Sequence, residues 1–180
     1  MYRIKKDKRV VRSCELISNG LCKCLETKRL DQIDVSELAA LSGVSRGTFY
    51  RIFDSPVDVL AYTSDTLIDR AFNDYSEKTF KSKDEAALFF LNFWMGNATL
   101  LENIQKSGRS ELVIKSMKRY SVFYKTKSLK NLSEAEIDYY CAAFAGTLSG
   151  LLYVWIQNGR KEDTVELFNT FKKIFHIMHI

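Results

Sequence analysis

Pairs in which a Ser or Asp precedes an acidic residue by three positions open several helically patterned stretches, and four of them carry the argument. The pairs are Asp34 with Glu37, Ser55 with Asp58, Ser82 with Glu85, and Ser133 with Glu136. Such a pair caps a helix start, because the first side chain accepts from backbone N–H groups that have no partner in the opening turn. The single proline, Pro56, stands directly after Ser55, at the first helical position, where its missing N–H costs nothing. Eight glycines in 180 residues leave few places for tight turns, and alternating Val, Ile and Thr runs are missing. Together these features predict an all-α fold.

About nine helices are expected. The first runs from about Ile4 to Lys28 on the face Val10, Cys14, Ile17, Leu21 and Cys24. Asp34 opens a short second helix and Ser45 caps a third. The fourth, from Ser55, carries Leu60, Leu67, Ile68, Ala71, Phe72 and Tyr75 inward. The fifth starts at Ser82, and its body from Ala86 to Met95 is apolar nearly all round, so burial on all sides is expected. A sixth spans Asn97 to Lys106, before a break at Ser107–Gly108. A seventh carries Leu112, Val113, Met117, Tyr120, Phe123 and Tyr124. The eighth runs from Ser133 toward Gly159, and the ninth from Glu162 to His179. A boundary near Asp54 divides residues 1–54 from a larger helical body, residues 55–180.

The net charge of +5 has a location. Residues 1–12 hold Arg3, Lys5, Lys6, Lys8, Arg9 and Arg12 against Asp7 alone, and the rest of the chain is balanced. A basic arm on a neutral body suits a phosphate backbone or an anionic surface, although a solvated terminus has the same composition. Cys14, Cys22, Cys24 and Cys141 form no CxxC pair, and His176 and His179 fall at the far end, so no metal site is expected. Small buried thiols in a reducing compartment are the default reading. The chain shows no nucleophile motif, glycine-rich phosphate loop or carboxylate–histidine cluster, so neither catalytic residues nor a cofactor are expected. The N-terminus lacks the apolar run of a signal peptide. The longest uncharged stretch, Tyr139 to Gly159, carries Thr147, Ser149, Gln157, Asn158 and three glycines. It reads as a buried interface helix, not a membrane span. A cytoplasmic protein with no membrane partner is expected.

The segment from Asp34 to Phe53, DVSELAALSGVSRGTFYRIF, places two short helices about four residues apart with a glycine between them, the spacing of a helix-turn-helix. Ala39 is small where the helices cross, and Gly43 stands where a positive φ is needed. Leu38, Val44, Phe49 and Ile52 form the inner face. Ser45, Arg46, Gly47, Thr48, Tyr50 and Arg51 are left outside, with Ser36 at the opening of the preceding helix. Short polar, aromatic and basic groups of this kind suit base edges and phosphates. Arg46 is suited to a bidentate contact with guanine, Thr48 to a thymine methyl or a phosphate, and Tyr50 and Arg51 to phosphates. Lys5, Lys6, Lys8 and Arg9 of the arm would add phosphate contacts.

This segment resembles the N-terminal domain of the TetR family of transcription regulators. The matching positions are Leu38, Ala39, Gly43-Val44-Ser45, Gly47-Thr48-Phe49-Tyr50 and Phe53, with Lys28 and residues 30–35 similar to the family's link between its first two helices. The resemblance covers about residues 8–62. It returns weakly over residues 142–159, AAFAGTLSGLLYVWIQNG, which are similar to the penultimate helix of many members. Two positions depart from it. Arg29 stands where many members carry glycine. Pro56 replaces a phosphate-gripping lysine at the fourth helix, which leaves the free N–H groups of the helix start as a partial substitute.

The resemblance implies a homodimer on a double-stranded DNA operator, released by a small-molecule effector, with repression as the common mode. It also implies that the last two helices form a four-helix dimer interface. On the eighth helix Ala142, Gly146 and Gly150 form a stripe of small residues, with Phe144, Leu148, Leu151, Leu152 and Trp155 beside it. The ninth adds Phe168, Phe171 and Phe175. Candidates for lining an apolar or aromatic ligand are Phe72, Tyr75, Phe90, Phe93, Trp94, Met95, Met117, Tyr120, Tyr124 and Tyr140, and periodic aromatics of this kind also serve as plain core. Two alternatives remain. One is a helical module docking on protein or membrane through the basic arm, and the other is a ligand-independent activator on the same fold.

Overall fold

The computed structural model describes residues 7–115 and 131–177. Among these residues the secondary structure is helical, with no strand. The order is α1 (Lys8–Leu25), a single 3-10 turn (Leu30–Gln32), α2 (Val35–Leu41), α3 (Arg46–Ile52), α4 (Pro56–Ser76), α5 (Lys83–Gly96), α6 (Ala98–Lys106), α7 (described over residues 111–115), α8 (Glu134–Gln157) and α9 (Thr164–Ile177).

The caps explain these bounds. Asp34 accepts from the N–H groups of Ser36 and Glu37 at 2.6 and 3.4 Å, and Ser45 accepts from Thr48 at 3.1 Å. Ser82 caps α5, and Ser133 with Glu136 forms a reciprocal box at α8. α1 starts later than its apolar period suggested, because Asp7 accepts from the N–H of Arg9 at 2.7 Å and fixes the first turn at Lys8. It also ends earlier. Lys28 lies beyond the helix, and its ammonium donates to both carboxylate oxygens of Glu37 in α2 at 2.7 and 2.8 Å.

The chain forms two compact units. One comprises Met1–Leu67 with Asn103–Leu112, the other Ile68–Glu102 with Val113–Ile180. The division falls inside α4, well past the boundary expected near Asp54. The first turns of α4 carry Val59 and Leu60, both fully buried, and so belong to the first unit's core.

In the first unit α1 packs on α2 and α3, and α2 packs on α3. Cys14, Ile17, Leu21, Leu38, Phe49, Ile52 and Phe53 are buried between them. Each large apolar side chain taken from water contributes about 1.5–3 kcal/mol. The closest approach is at Gly20 of α1. A Cβ there would stand 2.1 Å from the Ser42 hydroxyl and 3.3 Å from Leu38 Cδ1. That hydroxyl is itself held by the Leu38 carbonyl at 2.6 Å. α1 and the start of α4 meet through hydroxyl groups: Thr63 and Ser18 share a hydrogen bond at 3.0 Å, and Thr63 also donates to the Val59 carbonyl at 2.8 Å. The adjacent Ser64 is 1% exposed, and its hydroxyl meets no partner. An unpaired buried hydroxyl costs about 1–3 kcal/mol.

In the second unit α5 packs on α9, where Asp84 pairs with Lys172 and the Thr164 hydroxyl donates to Asn92. α5 departs from expectation. Leu91 and Trp94 are buried, but Leu88, Phe89, Phe90, Phe93 and Met95 are half-buried and Ala87 is exposed. α9 packs on one side, and on another Phe89 and Phe90 meet the rings of Phe72 and Tyr75 in α4 and of Phe80 beyond it, ring contacts that leave them partly accessible. α8 buries a single stripe, Ile137, Cys141, Ala145, Leu152 and Trp155. Its end is closed by Gly159 at φ +85, by the Arg160 N–H donating to the Trp155 carbonyl at 2.9 Å, and by the Trp155 indole donating to the Glu162 carbonyl at 2.9 Å. By length and composition α8 is apolar enough to cross a bilayer.

Candidate nucleic-acid interface

The helix-turn-helix is built from the inside outward. Leu38, Ala39, Phe49 and Ile52 are buried as their spacing requires, while Val44 is half-buried at the turn. Gly43 has φ +67, a conformation that costs an L-residue about 1–2 kcal/mol. It lets the Val44 N–H reach back to the Ala39 carbonyl at 3.0 Å and close α2. Phe49 anchors α3, with its ring edge-on to Tyr50 at 5.6 Å and tilted against Phe53 at 5.9 Å.

Anchoring Phe49 and Ile52 turns the other side of α3 outward. Ser45, Arg46, Gly47, Tyr50 and Arg51 are exposed, Tyr50 by 45%, and Thr48 is half-buried. The Ser45 and Thr48 hydroxyls lie 3.0 Å apart, which holds both against the helix start. A Cβ on Gly47 would meet nothing closer than the Ser45 hydroxyl at 3.8 Å, so the backbone is open to close approach there. Ser36 is half-buried, and its N–H donates to Asp34.

The face has two cations, Arg46 and Arg51, and no acid of its own. The Asp34 carboxyl is held below the usual range, first by the Ser36 N–H, then by the Ser36 hydroxyl and the Glu37 N–H, with a smaller contribution from the Arg46 charge. The Lys28 ammonium is pushed above its ordinary value by its hydrogen bond to Glu37. Lys8 and Arg9 are exposed in the first turn of α1 and so are helical, not part of a free arm. Lys5 and Lys6 lie outside the described residues.

The start of α4 is less open than its Pro56 suggested. Asp58 accepts from the Asp54 N–H at 3.1 Å, and its own N–H donates to the Ser55 hydroxyl at 3.4 Å and to the Ser55 carbonyl at 3.1 Å. These donors are satisfied from within, and two carboxylates stand beside them.

Of the aromatic residues considered for a ligand site, Phe72, Tyr75 and Phe90 come together. Tyr75 stacks on Phe90 at 4.9 Å, and Phe72 meets Phe90 edge-on at 5.3 Å. Phe80 and Phe89, which sequence reasoning passed over, complete the cluster against Tyr75 at 4.7 and 6.0 Å. Phe93 and Met95 are half-buried, Trp94 is buried, and Tyr140 is exposed and stacked on Phe144. Met117, Tyr120 and Tyr124 lie outside the described residues. Burial raises the Cys14, Cys22 and Cys24 thiols above their ordinary value, which leaves them in the unreactive thiol form.

On α8 and α9, Trp155 and Phe168 are buried within the chain, and Phe171 and Phe175 are half-buried against each other at 4.3 Å. Ala142 is half-buried. Gly146 and Gly150 are exposed, and a Cβ on either would meet nothing within 4 Å. On the same side Tyr139 is 77% exposed, with Ala143, Tyr153 and Val154 also exposed. The sequence signal for these residues was their position opposite the Ile137–Cys141–Ala145–Leu152 stripe.

No protein-family model and no curated protein matches the sequence. Solved structures do. Lin0861 from Listeria innocua aligns with TM-score 0.80 at 17% identity, over 98% of this chain and 96% of that one. A transcriptional regulator of the TetR/AcrR family from Aquifex aeolicus aligns with TM-score 0.55 at 12% identity, over 92% and 99%. The transcriptional regulator FadR from Bacillus subtilis, in complex with stearoyl-CoA, aligns with TM-score 0.52 at 20% identity, over 87% and 94%. The chain has the all-helical fold of TetR/AcrR-type transcription regulators.

Proposed function

We propose that this protein is a sequence-specific DNA-binding transcription regulator that works as a homodimer, reading DNA with α3. The observation that carries this is the division of α3 into a buried anchor, Phe49 and Ile52, and an exposed face of Arg46, Gly47, Tyr50 and Arg51 that is basic and free of acids. Such a face has little to offer a membrane, which would require bulky apolar groups there. Arg46 reads a base edge, while Tyr50, Arg51, Lys8 and Arg9 hold phosphates, with Lys5 and Lys6 assigned to the same task.

A single reading helix spans only a few base pairs. Two of them about 34–36 Å apart read a palindrome. The uncharged face of α8, Tyr139, Ala143, Gly146, Gly150, Tyr153 and Val154, is the surface proposed to pair with its copy, since exposing it in a monomer leaves a large apolar area in water. Repression relieved by a ligand is the mode we assign, as the resemblance of residues 34–53 to the TetR family implies. The ring cluster around Tyr75 and Phe90 and the long-chain acyl ligand of the B. subtilis neighbour both favour an apolar effector. Ligand would favour a conformer in which α4 pivots and the two reading helices no longer match successive grooves.

Selection of bound fragments from a random DNA pool tests the core of this reading. A palindrome with half-sites about one helical turn apart is expected. Recovery of unrelated sequences at every salt concentration would overturn it.

A further inference from the structure

Residues 28–53 comprise the helix-turn-helix and the link that leads into it. They hold the cations Lys28, Arg29, Arg46 and Arg51 against the acids Asp31, Asp34 and Glu37. Acids beside a duplex repel its phosphates, so this composition suits DNA poorly until the pairings are considered. Each acid is engaged within the segment. The Lys28 ammonium donates to both Glu37 oxygens at 2.7 and 2.8 Å, and the two side chains are 42% and 43% exposed. The Arg29 guanidinium donates to both Asp31 oxygens at 3.3 and 3.4 Å. Asp34 accepts from the N–H groups of Ser36 and Glu37. Among the described residues, the two cations of the segment left without an ion pair are Arg46 and Arg51, both exposed on α3. The segment thus quenches its acids locally and leaves its free positive charge on the reading helix.

We propose that Lys28 is a positioning residue for DNA reading: it neutralises and holds the Glu37 carboxylate, so that the first turn of α2 offers no free negative charge to the phosphates around α3. That turn adjoins the reading helix. α2 packs on α3, and the Arg46 charge acts on Asp34, which caps the same turn as Glu37. Charges within about 10 Å of one another are only partly screened at 0.1 M salt, so an acid in this turn acts on bound phosphates. An ion pair this exposed contributes little to stability. Its weight falls instead on the field that α3 presents. This inference rests on the assignment of α3 to DNA, and it adds a residue that acts on the interface without touching it.

The test uses the full chain and a duplex that the wild-type protein selects from a random pool. Lys28→Met keeps the aliphatic stem and removes the charge, while Glu37→Gln keeps the shape and removes the acid. Lys28→Met is expected to weaken binding about three- to tenfold at low salt, the effect of one uncompensated charge near phosphates in a medium of high dielectric. Glu37→Gln should bind at least as tightly as wild type, and the double variant should return to the wild-type affinity. Equal losses in the two single variants would reduce the pair to a structural strap and overturn the proposal. A double variant as weak as Lys28→Met would overturn it as well, because Lys28 would then hold a phosphate itself. Lys83→Met removes one exposed cation from the second unit and so controls for net charge. It is expected to bind as wild type does, and a loss equal to that of Lys28→Met would also overturn the proposal. Each of these failures leaves the reading by α3 standing, whereas a wild-type protein that selects no duplex overturns both.

Discussion

Arg46 and Tyr50 are both exposed on α3, the proposed reading surface. Arg46→Ala and Tyr50→Ala are each expected to reduce affinity for the selected DNA at least tenfold, as removal of a side chain that holds a base edge or a phosphate does, with helicity and oligomeric state unchanged. Unaltered affinity in both would remove α3 from the interface. Two glycines act through the backbone and through space instead. Gly43→Val must adopt φ +67 and is expected to destabilise the protein by about 1–2 kcal/mol. Gly20→Val would drive a branched side chain into Ser42 and Leu38, and a loss of about 1–3 kcal/mol in chemical denaturation is expected. Gly43 was legible from the turn spacing. Gly20 was not, because within a helix a glycine at a crossing point looks the same as one facing solvent.

At the level of elements, caps did most of the specification. The Asp34 carboxylate holds the start of α2, and its lowered pKa sets the pH window. This contribution is complete above the ordinary aspartate value of about 3.9 and is lost as pH falls through the lowered one. The melting-temperature gap between wild type and Asp34→Ala is therefore expected to be widest near neutrality and to close in acid. A gap independent of pH would show that the carboxylate charge is not what stabilises α2. The apolar period was a poorer guide than the caps. It extended α1 in both directions past the points where Asp7 and the Lys28–Glu37 pair fix its ends, and it implied complete burial of α5. A run of apolar residues reports what a helix would prefer to bury, while the number of neighbours available decides how much it does bury.

For the whole molecule the proposed dimer makes a clean prediction. Within one chain the Gly150 position is open, so Gly150→Leu meets no clash and replaces a poor helix former with a good one. In a close pairing of two α8 faces the same side chain would hold the helices apart. Sedimentation of Gly150→Leu is expected to show a monomer of undiminished helicity, and an intact dimer would move the interface elsewhere. The interface implied by the resemblance included Trp155 and Phe168, which are both buried within the chain. Spacing alone assigns apolar residues to a helix but cannot say whether they face their own core or a copy. The basic segment has its own test. Removing residues 1–9 is expected to weaken binding to all DNA sequences. The dependence of log K on log salt should fall by about 0.9 for each phosphate that the segment no longer neutralises. An unaltered slope would show that the segment does not touch DNA.

The amino-acid sequence determined the helices, the capped starts of α2, α3, α4, α5 and α8 and the anatomy of the helix-turn-helix, because caps, a turn glycine and a 3.6-residue period are local chemistry that acts within a few positions. Tertiary structure decided the rest: that Gly20 is a crossing point, that Ser64 is buried without a partner, that the first unit takes in both the opening turns of α4 and residues 103–112, and which side of α8 is left uncovered. Those outcomes depend on what lies across a gap of a few ångströms from residues far away in the chain, and no local pattern encodes the neighbour.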